Sequence, residues 1–249
     1  MTKITVKRKE FLGFLSSFGK GIPDLRIVCA GGRLTVEIAY AWYYLRKQFI
    51  TDVNIEGVLH VVDLDKLLLF LKSSKQDEII IRQNAPTKPL YIEGGGNKLQ
   101  LPSTDDIESA SKTVVIRKLI KDCQESGWSK FGKISLSTHA SIATKDLTSL
   151  AGMRSLVSKD TQFKLRIHCG ENEMGIVAGK ATSGRLFTTL PVWDSDGPAT
   201  TVESFFSEKM PMCLQFLDEE DARMHMGKST CVIFEQTNTL LMIVDEGDD

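Results

Sequence analysis

The sequence lacks the long apolar runs that membrane spans and signal peptides require. No stretch of about 18 consecutive apolar residues occurs among the 249 residues. The N-terminus, MTKITVKRKEFLGF, carries charges where a signal peptide has its apolar core. We therefore expect a protein that stays inside the cell, in the cytoplasm or nucleoid of a host, or in the nucleus if the source is eukaryotic.

Paired cysteines are lacking as well. The five cysteines are odd in number and include no CxxC spacing, which argues against a disulfide framework and against a zinc ribbon. We expect each of them to be a buried small apolar residue or a free thiol in a reducing compartment. The five are Cys29, Cys123, Cys169, Cys213 and Cys231.

A net excess of charge is almost absent. The formal net charge is −1, which excludes a uniformly basic nucleic-acid binder but leaves room for a positive face. The charge is unevenly distributed along the chain. Residues 1–20 contain five basic side chains and one acidic one, Glu10, whereas acidic residues collect at 218–221 and in the C-terminal tail.

The common catalytic and nucleotide-binding motifs are missing too. There is no HExxH, no GxxxxGK[ST], no strand–GxGxxG–helix and no GxSxG. The paired aspartates at 105–106 and at 194 and 196 lie in turn-like contexts that favour local hydrogen bonding. We expect no catalytic residues, no bound metal and no cofactor. The four histidines fall in predicted strands, where a structural role is the simpler explanation: His60, His139, His168 and His225.

The residues that are present describe a globular protein with mixed secondary structure. Hydrophobic residues make up 42% of the chain and charged residues 25%. Apolar residues at helical spacing predict four helices: within 7–21, after an N-cap at Asp63, after an N-cap at Thr144, and from about 201 to 210. Runs rich in β-branched and aromatic residues predict strands at 4–6, 26–29, 34–44, 49–55, 58–62, 78–83, 90–93, 98–101, 133–139, 163–169, 174–181, 185–190, 221–226, 231–235 and 239–244, with a loop at WDSDGP, 193–198.

The order of these elements repeats. Residues 9–12 align with 145–148 at an offset of 136, residues 77–78 with 220–221 at 143, and residues 97–99 with 238–240 at 141. Two helices and a majority of strands in each half predict an α+β fold with helices on one face of antiparallel sheets. We expect an N-terminal domain at 1–102, a connector at 103–132 that contains a helix or a strand and a helical turn, and a C-terminal domain at 133–249.

Three of the four predicted helices carry several basic side chains opposite their apolar stripes, and the fourth carries Lys209 set against Glu203 and Glu208. Lysine among small residues makes a positive surface that suits phosphate backbones and cannot read base edges. An ordinary solvated helix face also carries lysine, and the pattern alone does not separate the two interpretations. The candidate DNA-binding residues are Lys9, Lys20, Lys66, Lys72, Lys75, Lys145, Arg154, Lys159 and Lys209.

Three blocks resemble DNA sliding clamps of the proliferating-cell nuclear antigen and phage processivity clamp type. They are KRKEFLGFLSSFGKG, DLDKLLLFLKSSKQDEIIIR with LYIEGGGNKLQLP, and the closing ARMHMGKSTCVIFEQTNTLLMIV. The resemblance implies the DNA clamp fold, with two similar domains per chain and two helices per domain on antiparallel sheets. It implies a homotrimeric ring around duplex DNA that tethers a DNA polymerase, binds DNA independently of sequence and is opened by a clamp-loader ATPase.

The resemblance also implies an outer pocket for short apolar partner peptides. We place it around Val114, Ile116, Met242 and Val244, which are otherwise ordinary core residues. Two other functions stay open from the sequence. One is a non-ring protein-interaction scaffold of viral or cellular origin, and the other is an enzyme with an unrecognised α+β site.

Overall fold

Contacts within the chain divide it into two units. Unit 1 comprises residues 1–37 and 46–108, and unit 2 comprises residues 38–45 and 109–249. The structure is a computed structural model that describes residues 1–18, 22, 24–40, 43–51, 56–103, 109–153, 163–168, 172–178, 186–197, 201–206, 210–227 and 231–244. Within those ranges no helix is both long and apolar enough to cross a membrane.

Unit 1 is built on ten elements, of which the end of β3 and the start of β4 are counted with unit 2. One sheet has the strand order β1-β6-β7-β8, and the other strands follow the order β5-β2-β3-β4. The elements are β1 (Thr2–Lys7), α1 (Arg8–Ser16), β2 (Asp24–Ala30), β3 (Arg33–Ala39), β4 (Tyr43–Ile50), β5 (Gly57–Val62), α2 (Leu64–Ser73), β6 (Glu78–Gln83), β7 (Leu90–Gly94) and β8 (Asn97–Leu101).

Sequence periodicity explains these elements. In β1 every second residue is buried, as expected for a strand with one face on the core. In α1 the buried residues Phe11, Phe14 and Leu15 recur at helical spacing, and the Phe14 ring lies 5.5 Å from that of Phe49 on β4. The predicted N-cap of α2 is confirmed, because the Asp63 side chain accepts a hydrogen bond from the Lys66 backbone N–H.

Unit 2 repeats this order after an additional helix and a two-stranded ribbon. Its two sets of strands run in the orders β11-β16-β17-β18 and β15-β12-β13-β14. The elements are α3 (Ser109–Glu125), β9 (Lys130–Phe131), β10 (Ile134–Ser135), β11 (Thr138–Ile142), α4 (Thr144–Met153), β12 (Phe163–His168), β13 (Glu173–Ala178), β14 (Leu186–Asp196), β15 (Thr201–Phe206), α5 (Met210–Cys213) with a 3-10 turn at Leu214–Phe216, β16 (Ala222–Met226), β17 (Cys231–Glu235) and β18 (Thr239–Val244).

The internal repeat is visible in the strand pairing. In the first repeat β1 pairs antiparallel with β6, the strand that follows α2. In the second repeat β11 pairs antiparallel with β16, the strand that follows α5. The second, third, fourth and fifth strands of each repeat form the other set in the same order. The predicted α+β fold with two similar units is therefore confirmed, and the segment 109–125 takes the helical alternative.

The predicted fourth helix is wrong. Residues 201–206, TVESFF, form strand β15, which pairs antiparallel with β12 over its whole length, from Thr201 with His168 to Phe206 with Phe163. The segment is rich in β-branched and aromatic residues, and the unsatisfied edge of β12 supplies its hydrogen bonds. Helix α5 begins only at Met210, and the residue placed on the predicted helix, Lys209, lies outside the described residues.

Four smaller predictions also fail. The predicted strand 34–44 is divided, since β3 ends at Ala39 and β4 begins at Tyr43. The predicted strand 133–139 is divided as well, since β10 ends at Ser135 and β11 begins at Thr138. The predicted WDSDGP loop instead continues β14 to Asp196, where the register against β11 shifts and Asp194 has a φ of 50°. Thr144 is the first helical residue rather than the N-cap, because the Ala143 carbonyl accepts the first hydrogen bonds of α4.

Candidate nucleic-acid interface

In unit 1 the helices α1 and α2 lie side by side and antiparallel. Arg8, the first residue of α1, reaches the end of α2. Its Nη1 donates to the Leu71 carbonyl over 3.1 Å and its Nε to the Gln76 carbonyl over 2.7 Å. Its backbone N–H donates to the Asp77 carbonyl over 2.7 Å. The guanidinium thus neutralises carbonyl groups at the negative end of α2 and fixes the two helix ends together.

This contact brings three of the candidate lysines together where the start of α1 meets the end of α2, a region that we call the corner of unit 1. Lys9 follows Arg8 directly, and Lys72 and Lys75 flank the carbonyls that Arg8 binds. All three are exposed, and within the described part of the chain none has an ion pair. Lys66 lies near the other end of α2, where its Nζ is 2.6 Å from Asp63 Oδ2, so its charge is partly offset.

The outer face of the α1–α2 pair carries small side chains and is exposed to solvent. Gly13 and Ser16 of α1 and Ser73 of α2 are exposed, and a Cβ added to Gly13 would meet nothing within 4 Å. The exception is Leu69, a large apolar side chain that is 68% exposed. A surface of lysine and small side chains presents positive charge that can approach the phosphates of a duplex closely.

In unit 2 the corresponding corner is held together by a polar network. The Thr144 hydroxyl donates to the Glu220 carbonyl over 2.7 Å. The Gln236 Nε2 lies 3.0 Å from Thr144 Oγ1, 3.1 Å from the Asp218 carbonyl and 2.7 Å from the Glu220 carbonyl, while its Oε1 accepts from the Asp218 N–H. Lys145, the next residue of α4, is exposed beside this network.

The chain between α5 and β16 is acidic at this corner. Glu220 accepts hydrogen bonds from the Thr237 backbone N–H and hydroxyl, and the Thr239 hydroxyl donates to Asp218. These bonds tie the acidic segment 218–221 to the β17–β18 hairpin. The sequence showed the acidic run but gave no indication that it meets the start of α4.

The other candidate DNA-binding residues cannot be placed. Four of the nine lie outside the described ranges: Lys20, Arg154, Lys159 and Lys209.

Three of the four residues predicted to line a partner-peptide pocket come together in unit 2. Met242 is buried in an apolar cluster, and Ile116 and Val244 are partly buried against it. Val114 instead points away and is 58% exposed. The cluster contains residues from α3, β17, β18, the segment 38–45 and the stretch between β10 and β11: Ala39, Tyr44, Ile120, Cys123, Leu136, Cys231, Ile233, Leu240 and Met242.

The histidines include a close pair that the sequence did not reveal. His139 and His225 face each other across β11 and β16, with their Nδ1 atoms 2.9 Å apart. The His225 ring stacks on Trp128 at 4.4 Å, and its Nε2 lies 3.3 Å from Glu235 Oε2. Burial, followed by His225 and then Arg223, lowers the pKa of His139. Among the described residues no three candidate ligands are grouped to hold a metal ion.

The described cysteines are buried and show no bonded pair. Burial raises the pKa of the Cys29 thiol to about 11. Burial and, secondarily, the Glu235 carboxylate raise that of Cys123 to about 11 as well. Both are therefore protonated near neutral pH and are poor nucleophiles. Burial also raises the pKa of Cys213.

Comparison with known proteins relates this fold to sliding clamps. No family model and no curated protein matches the sequence. Solved structures do match. The DNA polymerase III beta subunit from Thermotoga maritima has a TM-score of 0.73 and 11% identity, over 100% of this chain and 66% of that one. The DNA polymerase sliding clamp from Pseudomonas aeruginosa has a TM-score of 0.72 and 15% identity, over 100% and 66%.

A third match is the Helicobacter pylori beta clamp bound to a DNA ligase peptide, with a TM-score of 0.66 and 14% identity, over 99% of this chain and 67% of that one. The chain thus spans about two thirds of the length of these structures. At such identities the likeness shows the fold, and the fold is that of a sliding clamp.

Proposed function

We propose that the chain is a subunit of a DNA sliding clamp, a non-enzymatic processivity factor that surrounds duplex DNA and tethers a DNA polymerase. The observation that carries this proposal is the match to sliding-clamp structures over 98–100% of the chain. The exposed lysine corner of the α1–α2 pair supports it, because such a surface attracts phosphates without selecting a sequence.

The inner surface of the ring would hold DNA loosely. Lys9, Lys66 and Lys72 are exposed on α1 and α2, and Lys75 is exposed just after α2; each would contact a phosphate only transiently. The residues outside the described ranges, Lys20, Arg154, Lys159 and Lys209, are proposed to add to the same surface. Because each contact is weak and independent of sequence, the ring can move along the duplex while topology keeps it attached.

Ring closure requires strands at the rim of each subunit to pair with another copy. Strand β8 has β7 as its only partner among the described strands, and β15 likewise has only β12. Unpaired strand edges are the usual place for pairing between chains. We propose a homotrimer. Since the sequence contains no P-loop, opening of the ring would depend on a separate loader ATPase.

Partner proteins would bind through short apolar peptides. Ile116, Met242 and Val244 meet at the apolar cluster of unit 2, and Val114 is exposed on the same helix, α3. We propose that a partner peptide packs along this rim. The Helicobacter pylori structure holds a DNA ligase peptide, which supports peptide binding as a property that this fold can carry.

The test separates topological attachment from ordinary affinity. A linear duplex is fixed to beads at one end, the protein is added, the free end is capped with streptavidin, and the beads are washed at high salt. A clamp stays bound after the wash and is released when a restriction enzyme cuts the duplex. Duplex capped before the protein is added is the control, since it admits no ring from its end.

Light scattering gives the molar mass in parallel, and the expected mass is three times 27.7 kDa. A monomer that is retained equally on both duplexes, or on neither, would refute the clamp and favour a non-ring interaction scaffold.

A further inference from the structure

The repeat allows the two helix corners to be compared residue by residue. At the offset of 136, Lys7, Arg8 and Lys9 of unit 1 correspond to Ala143, Thr144 and Lys145 of unit 2. The structure supports this alignment, because α1 begins at residue 8 and α4 at residue 144. In both units the first helical residue donates a side-chain hydrogen bond to a carbonyl of the segment before the sixth strand of the repeat.

The second helix of each unit ends at the same corner but with different charges. At the offset of 143, Lys72 corresponds to Gln215 and Lys75 to Asp218. The following residues are Gln76, Asp77 and Glu78 in unit 1 and Glu219, Glu220 and Asp221 in unit 2. A lysine in one unit is thus replaced by a carboxylate in the other, and an amide by a second carboxylate.

The corner of unit 1 is consequently positive. It contains five basic side chains, at positions 7, 8, 9, 72 and 75, and three acidic ones, at 10, 77 and 78. Glu10 is partly neutralised, since its Oε1 lies 3.4 Å from Lys7 Nζ. The ammonium groups of Lys9, Lys72 and Lys75 remain exposed and are available to an anionic partner.

The corner of unit 2 is negative. It contains one basic side chain, Lys145, and five acidic ones, at positions 146, 218, 219, 220 and 221. Glu219 and Asp221 are exposed, and no ion pair offsets them within the described part of the chain. They flank Glu220, whose carbonyl accepts a hydrogen bond from Thr144, so the acidic segment adjoins the start of α4 that carries Lys145.

We infer that the two halves divide the interaction with DNA. The corner of unit 1 contacts the phosphates, whereas the equivalent corner of unit 2 keeps them at a distance and Lys145 makes no contact of its own. At these corners the positive charge therefore lies in one half of each chain, which limits the number of phosphate contacts there and lets the duplex shift between subunits. This inference rests on the proposed function, because that function supplies duplex DNA as the partner.

The test measures how binding of a short fluorescent duplex depends on salt, using the full chain. The variant Lys9→Ala/Lys72→Ala/Lys75→Ala removes the positive corner of unit 1. Each lost phosphate contact reduces the slope of log K against log[salt] by about 0.9, so we expect a reduction of up to about 2.7 and weaker binding. Lys145→Ala should leave both slope and affinity unchanged, and Glu219→Gln/Asp221→Asn should tighten binding.

A matched variant controls for net charge. Lys88, Lys118 and Lys133 are exposed lysines on other segments of the chain, and their triple replacement by alanine changes the charge by the same amount. It should alter binding far less than the unit 1 variant does. Equal losses of affinity in the two triple variants would overturn the inference while leaving the proposed clamp function intact. A loss of affinity in Lys145→Ala of one third or more of that in the unit 1 triple variant would do the same. Absence of any DNA binding by the unmodified protein would overturn the proposed function together with the inference.

Discussion

Replacement of Gln236 by alanine tests how the acidic corner of unit 2 is held. The amide of Gln236 joins the start of α4 to the segment before β16, through Thr144 Oγ1 and the carbonyls of Asp218 and Glu220. Its Oε1 also accepts the Asp218 N–H over 2.9 Å. Gln236 itself is buried, so a shortened side chain removes these hydrogen bonds at a site that little solvent reaches.

The expected cost follows from those partners. The Glu220 carbonyl keeps the Thr144 hydroxyl as a donor, whereas the Asp218 N–H and carbonyl lose the bonds to this side chain. Each lost hydrogen bond costs about 1 kcal/mol, and the bonds to the Asp218 N–H, the Asp218 carbonyl and Thr144 Oγ1 are three. We therefore expect Gln236→Ala to lower the free energy of unfolding by about 3 kcal/mol, a large part of the total of a typical domain.

Urea denaturation, followed by circular dichroism, measures this loss. Gln100→Ala on β8 is the control, since Gln100 is exposed and its loss should change stability by no more than about 0.5 kcal/mol. Gln236→Glu adds a second readout. It keeps the acceptor for the Asp218 N–H but sets a buried carboxylate against two carbonyl oxygens, which raises the pKa of the new carboxyl group. The folded form of this variant then binds a proton more readily than its unfolded form, so its stability relative to the unmodified protein should rise as the pH falls from 7 towards 5.

A loss below about 1 kcal/mol for Gln236→Ala would refute the reasoning. It would show that solvent reaches the Asp218 backbone and replaces the amide, and that the hairpin contacts of Glu220 suffice to hold the corner.

Three further predictions concern the cores and the histidine pair. Leu67→Ala should destabilise the protein by about 2–5 kcal/mol in urea denaturation, because Leu67 is fully buried. Leu69→Ala on the opposite face of α2 should have almost no effect, and equal losses of stability in the two variants would show that the buried face is misassigned. Gly13→Ala should stabilise α1 by about 0.5–1 kcal/mol, because an added Cβ meets no other atom there. Gly57→Ala should lower the melting temperature, because Gly57 has a φ of 142° and lies against the Thr2 side chain. A higher melting temperature for Gly57→Ala than for Gly13→Ala would contradict the packing between β1 and β5. Because the pKa of His139 is lowered in the folded protein, the unfolded chain binds the imidazole proton at a higher pH, and stability should fall as the pH drops below the ordinary histidine value of about 6.5. His139→Gln should reduce that loss of stability between pH 7.5 and pH 5.5. An unchanged pH dependence in this variant would refute the prediction.

Local patterns predicted the elements that local forces decide. Asp63 and the leucines of α2 carry a capping residue and a helical period in the same short stretch, and the structure follows both. The segment 201–206 carries no such combined signal. Its apolar residues suit a strand or a buried helix, and the deciding factor is β12, a partner about 40 residues upstream in the chain.

Thr144 illustrates a competition that sequence alone does not resolve. A threonine before an amphipathic stretch predicts an N-cap, but the hydroxyl binds Glu220, 76 residues away, and leaves capping to the Ala143 carbonyl. The candidate lysines of unit 1 were predicted because exposure follows the helical period. Their meeting at one corner depends on Arg8, and the opposite charge of the corner in unit 2 depends on a turn far along the sequence, so neither was predictable locally.

The core of unit 2 includes Tyr44, which lies at the start of β4, a strand whose remainder belongs to unit 1. Cleavage of the chain at a single site between the units therefore does not release a fragment that contains the whole core of unit 2. A fragment beginning at residue 109 would leave a hole where the tyrosine ring belongs, and a peptide spanning residues 38–45 is what such a fragment would need to be repaired. On the ribosome the same stretch must wait for nearly two hundred further residues before its packing partners on β17 and β18 exist, so the halves of this chain mature together.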